Sequence, residues 1–150
     1  MELVYFDDVE EGQRVTTARR TITEADIMAF AGVSGDFNPL HTDELFAKND
    51  TPFGRRIAHG LLGLSVGSGL KSETDAWYVL AFLETRRTFA GPIYPGDTIW
   101  IEYEVAEKRA SKSKPDRGVV TVNVELKNQD GDVVQHGIDV LMLGRREGAS

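Results

Sequence analysis

The segment Ile57–Leu70, IAHGLLGLSVGSGL, constrains this chain most. It is apolar nearly all round, with Leu61, Leu62, Leu64, Val66 and Leu70, yet it holds Gly60, Gly63, Gly67 and Gly69. A helix that is hydrophobic on every side is a buried helix. Each glycine within it costs about 1 kcal/mol against alanine, so something must offset that loss. Small residues let a backbone or a ligand come close. The expectation is a helix lying tight against a sheet.

The second half of the chain supplies the sheet. Val79–Ala90 reads as a strand, ended by Gly91, Pro92 and the turn Pro95-Gly96-Asp97. Along Ile99–Val105, Ile99, Ile101, Tyr103 and Val105 alternate with Trp100, Glu102 and Glu104. In Val120–Leu126, Val120, Val122, Val124 and Leu126 fall on one face. Period-two alternation marks strands with one buried side. Asp130-Gly131 is a turn signal leading into Val133–Leu143. About four strands in an antiparallel meander are expected. Ala110–Pro115, ASKSKP, reads as a solvent loop, and the polar tail from Arg145 should fray.

The first half reads as one strand, Val15–Ile22, followed by helices. Thr23 can cap a helix with Asp26 at the third position, and Ile27, Phe30 and Ala31 follow at helical spacing. Gly32, Gly35 and Pro39 break that pattern, leaving Ser34–Leu40 as a loop. Thr42–Asn49 could form a short helix carrying Leu45 and Phe46, and Thr51–Arg56 is again loop. The fold class is α+β: a curved antiparallel sheet packed on one central glycine-rich helix.

Composition narrows the function. The 150 residues suit a single domain spanning 1–150. With 17 basic and 24 acidic side chains the net charge is −7, which disfavours nucleic acid as a partner, since phosphate contacts need a basic face. Cysteine is absent, which rules out disulfides, zinc fingers, iron–sulfur clusters and a thiol nucleophile, and fits a reducing cytoplasm. The start, MELVYFDDVEEGQ, lacks the basic and apolar regions of a signal peptide. No apolar run approaches the roughly 20 residues of a membrane span, so no membrane partner is expected.

The loop SGDFNPLH gathers a carboxylate, Asp36, a carboxamide, Asn38, and an imidazole, His41, within six positions. An Asp and a His close together can share a water: the imidazole exchanges a proton near neutral pH, and the carboxylate orients the water or accepts from it. Equally, Asp36 can cap a turn and His41 the following helix. His59-Gly60 begins the buried helix, where free N–H groups and a partial positive charge suit a developing oxyanion, or glycine simply serves packing there. Ser68 and Gly69 lie about two turns on. Ser68 lacks a nucleophile elbow and can instead bond back to its own helix.

Arg86 and Arg87 could meet an anion or be solvated. Phe37, Phe53, Trp77, Tyr78 and Tyr94 could line an apolar pocket, or serve core and interface. The three histidines show no metal-ligand spacing, and no phosphate-binding loop appears, so no metal is expected.

Taken jointly, SGDFNPLH, then IAHGLLGLSVGSGL, then RRTFAGPIYPGDTI resemble the MaoC-like dehydratases, which include the (R)-specific enoyl-CoA hydratases. The resemblance spans nearly the whole chain. It implies a hot-dog fold, in which a curved antiparallel sheet wraps a long central helix. It implies Asp36 and His41 as the catalytic pair and Gly60 as the backbone donor to a thioester oxygen. Asn38 matches a motif asparagine that supports the loop, and Ser68, with Gly69 beside it, matches a serine near the substrate in some members. His59 matches a motif histidine whose role is taken as structural.

The implied reaction is hydration of a trans-2-enoyl thioester of CoA or an acyl carrier protein, or the reverse, with no cofactor beyond water. A homodimer is implied as well. Two further readings stay open. One is a hot-dog thioesterase, which commonly uses an acidic residue on the central helix, whereas Ile57–Leu70 has none. The other is a non-catalytic subunit that binds acyl thioesters.

Overall fold

A computed structural model describes residues 2–146. It contains strands β1 (Arg14–Thr16), β2 (Arg20–Thr21), β3 (Val79–Phe89), β4 (Thr98–Ala110), β5 (Arg117–Lys127) and β6 (Val133–Gly144). Helices α1 (Glu24–Ser34), α2 (Pro39–Thr42), α3 (Glu44–Asp50) and α4 (Gly60–Ser68) lie between β2 and β3. The sheet is antiparallel in the order β1-β4-β5-β6-β3, with β2 also on β4. Only β4, β5 and β6 form the expected meander. β3 pairs with β6 rather than β4 and becomes an edge.

The alternation predicted for β4 and β5 places their apolar side chains inside. Ile99, Ile101, Val105, Val120, Val122, Val124 and Leu126 are all buried in one core with Ile22, Ile27 and Leu62. α4 fits against this face because its glycines omit side chains. A Cβ on Gly67 would stand 2.8 Å from Ile101 Cδ1, and one on Gly63 would stand 2.5 Å from Ile93 Cδ1. The close packing anticipated from the glycines is therefore present. The helix is shorter than expected, since it begins at Gly60 and ends at Ser68, and it is not buried all round: Leu61 is 59% exposed.

Other differences have local causes. The single strand over 15–22 is split because Thr17 inserts its hydroxyl into the ladder and accepts the Ile101 N–H at 2.9 Å. α1 runs through Gly32 and stops at Gly35, whose φ of 77° closes the helix in the left-handed conformation. Ser34 therefore belongs to α1. Thr23 and Asp26 do form the reciprocal cap. The third helix starts at Glu44 because Asp43 caps it, and Leu45 and Phe46 point outward while Ala47 is buried.

Arg87 is not solvated. It lies in a buried ion pair with Asp139 at 2.8 Å, and Thr85 donates to the same carboxylate. The start of the tail is held, with Arg145 and Arg146 paired to Asp7 and Asp8. Residues 147–150 lie outside the described residues. Among the described residues no helix is long and apolar enough to cross a membrane.

Candidate active site

The loop after α1 and the start of α4 converge on one spot. A carboxylate oxygen of Asp36 and a ring nitrogen each of His41 and His59 lie within 4.8 Å of one another. Local chemistry shapes the loop. Asn38 Oδ1 accepts the Leu40 N–H at 3.0 Å, capping α2, whose first residue is Pro39. Asp36 Oδ1 accepts the Asn38 N–H at 3.1 Å. The turn-capping reading of Asp36 thus holds together with its place in the cluster. His41 caps nothing; Asp43 does that work for α3.

His41 is buried, and its Nδ1 lies 2.7 Å from the Ile57 carbonyl oxygen. A carbonyl only accepts, so Nδ1 carries the proton and Nε2 is left with a free lone pair. The bond to the Ile57 carbonyl thereby selects the tautomer able to act as a base. His59 is oriented the other way, its Nε2–H donating to the Asp36 carbonyl oxygen at 2.9 Å. The two imidazoles stack with centroids 3.9 Å apart and planes 30° apart.

The gathering of three potential ligands was not visible in the histidine spacing. One nitrogen of each ring is spent on a carbonyl, and His59 Nδ1 is enclosed by protein.

Beside the cluster opens an apolar cavity of about 510 Å³, walled by Leu40, His41, Phe53, Leu61, Phe89 and Ile93. Gly60 lies on its wall as the first residue of α4. Its N–H has no acceptor within the helix, and it sits at the positive end of the helix dipole. A Cβ at Gly60 would stand 2.7 Å from the Phe89 ring.

The structure therefore brings Asp36, His41 and Gly60 to one place, with Asn38 shaping the loop. It does not bring Ser68 and Gly69 there. They end α4, about 12 Å along the axis from Gly60, and the Ser68 hydroxyl donates to the Ser65 carbonyl. Ser68 borders a separate 220 Å³ cavity with Trp77, Phe82, Tyr103 and Asp139. Of the aromatic candidates, Phe53 lines the site cavity, Trp77 joins the core and Phe37 is exposed.

Gln135 escaped the sequence reading. Its Nε2–H donates to the Gly60 carbonyl at 2.8 Å and steadies the first turn of α4. The only available signal was an amide interrupting the apolar run that opens β6.

Residues 7–128 match the MaoC like domain. The chain belongs to this family, and its fold is the hot-dog that the family motifs imply. The (R)-specific enoyl-CoA hydratase of Aeromonas caviae is 33% identical over 135 residues, covering 90% of this chain and 96% of that protein. Protein MaoC of Klebsiella aerogenes is 38% identical over 106 residues, which are 69% of this chain but only 31% of that longer protein. Among solved structures, a monoamine oxidase regulatory protein from Archaeoglobus fulgius superposes with a TM-score of 0.87 at 35% identity, covering 97% of both chains. Relatives in this family are named 3-hydroxybutyryl-CoA dehydratase, from Methylorubrum extorquens, and (R)-specific enoyl-CoA hydratase.

Proposed function

We propose that the protein hydrates trans-2-enoyl thioesters to (R)-3-hydroxyacyl thioesters and catalyses the reverse dehydration. One observation supports this reading: Asp36 lies beside His41, and His41, whose Nδ1 is held by a carbonyl, lines an apolar cavity together with Gly60. The acyl chain enters the cavity with its thioester oxygen toward the Gly60 N–H. Water sits between Asp36 and His41. Its oxygen adds to the electron-poor β-carbon, and the pair delivers a proton to the α-carbon, so that H and OH add to the same face. Negative charge grows on the thioester oxygen, where the helix-end N–H stabilises it. An oxyanion donor of this kind contributes about 10²–10³ in rate. Water and the thioester of CoA or an acyl carrier protein are all the reaction requires.

A homodimer is part of the proposal. Edge strand β3 exposes Val79, Leu80, Phe82, Leu83 and Phe89. A long apolar edge is a liability for a monomer, and Phe89 joins that edge to the site. We place the protein in the cytoplasm because a chain without cysteine suits a reducing compartment.

The test mixes pure protein with crotonyl-CoA and follows loss of the conjugated enoyl absorbance, with stereoselective dehydrogenases reading the product. Loss with (R)-product, absent in Asp36→Asn, is expected. Free thiol appearing instead would establish a thioesterase and overturn the proposal.

A further inference from the structure

We propose that His59 is a positioning residue that holds Asp36 and His41 in register with the start of α4. The inference rests on reading Asp36 and His41 as the hydrating pair. His59 occupies the N-cap of α4, yet its side chain makes no capping bond to that helix. Serine, aspartate or asparagine there would satisfy a free N–H, and capping is what this position ordinarily favours. The imidazole instead reaches back 23 residues, where its Nε2–H donates to the Asp36 carbonyl at 2.9 Å.

The other bonds of the 35–38 segment are local. Asp36 N–H donates to Ser34 Oγ, Asn38 N–H to Asp36 Oδ1, and Thr42 Oγ1 donates to the Phe37 and Asn38 carbonyls. Among the described residues, the His59 bond is the tie between this loop and α4.

The ring faces serve the same end. One stacks on His41 at 3.9 Å, and Phe30 packs at 4.9 Å with planes 57° apart. His59 is 3% exposed, and its Nδ1 is enclosed without a hydrogen-bond partner. A proton on Nδ1 would be a buried donor with no acceptor, which is costly. The surroundings thus accept one tautomer, the one that binds Asp36. His59 also immediately precedes Gly60. One side chain therefore fixes the spacing between the water-holding carboxylate, the base and the oxyanion donor. A 1 Å misplacement of such groups can cost about 10²-fold in rate.

The test compares three variants of the full chain. His59→Gln keeps an amide N–H near the Nε2 position. His59→Asn places its amide where Nδ1 lies, and His59→Phe keeps the ring without a donor. With crotonyl-CoA, His59→Phe and His59→Asn should lower kcat about 10²-fold with KM little changed, and His59→Gln should recover most of that loss. Equal losses in all three, or undiminished kcat in His59→Phe, would overturn the proposal.

Long-range ¹H–¹⁵N spectra of the imidazoles give a readout independent of turnover. The proton should sit on Nε2 of His59 and on Nδ1 of His41. The amide signals of Gly35–Asn38 should move in His59→Phe and stay near wild type in His59→Gln. The opposite His59 tautomer, or an unmoved loop, would reject the positioning role. Lack of hydration by the wild type would instead reject the assigned reaction, with the spectra still deciding how Asp36 is held.

Discussion

Replacing Gly63 by alanine sets two effects against each other. Alanine favours a helix over glycine by about 1 kcal/mol, so on a free helix the change would stabilise. Here the new Cβ would stand 2.5 Å from Ile93 Cδ1 and 2.7 Å from Gln135 Nε2. Overpacking of this kind costs about 1–3 kcal/mol. The displaced Gln135 would also lose its bond to the Gly60 carbonyl. Its Oε1 already lacks a partner, so the buried amide would be wholly unsatisfied, costing about 1–3 kcal/mol more.

The net is a destabilisation of about 3 kcal/mol. At roughly 2–4 °C per kcal/mol for a domain of this size, melting should fall by about 10 °C. Urea titration at fixed protein concentration should show a lower midpoint and an unchanged slope. Gly32→Ala is the control: it lies in α1 with nothing within 4 Å of its Cβ, so it should stabilise by about 0.5–1 kcal/mol. A Gly63→Ala protein as stable as wild type would refute the tight seating of α4 against β6 and the segment before β4.

Four further outcomes are expected. Asp36→Asn and His41→Ala should each lower hydration about 10²–10⁴-fold while circular dichroism stays native. Full turnover in both would remove them from the chemistry. Asp139→Ala should destabilise by about 3–5 kcal/mol, because it strands the buried Arg87 charge; an unfolding midpoint near wild type would show that water reaches this pair. Hydrogen bonding from Arg145 holds the Asp7 carboxyl below its ordinary range. Its contribution is therefore full above the unfolded-state value of about 3.9 and is lost as pH falls through the lower folded value. The stability gap between wild type and Asp7→Asn should close across that acid window, and a gap unchanged at low pH would contradict the pairing. Finally, Phe82→Glu on β3 should shift light-scattering mass from dimer to monomer, whereas an unchanged dimer would place the interface elsewhere.

Much of the site was legible because its residues are neighbours in the chain. Asp36, Asn38 and His41 share one loop whose shape follows from short-range rules: glycine at a left-handed helix end, asparagine as cap and proline at the first helical position. The partners that turn the loop into a site are distant. The Ile57 carbonyl that selects the His41 tautomer lies 16 residues away, and Gln135 lies 75 residues from the carbonyl it steadies. Neither has a local pattern to read. Ser68 was linked to the site by its match to a family serine, and a rise of about 1.5 Å per residue sets it at the other end of α4 from Gly60.

By itself the sequence determined the α+β class, the inward faces of β4 and β5, the cap of α1 and the close packing of the glycine helix. Side-chain period and glycine spacing are properties of adjacent residues, so they survive whatever the rest of the chain does. Only the tertiary structure decided that β3 crosses to β6 and leaves an apolar edge, that Arg87 is buried against Asp139, and that His59 abandons its own helix to hold Asp36. Each of these depends on which distant groups compete for the same hydrogen bond or the same space, and that competition exists only once the chain has closed on itself.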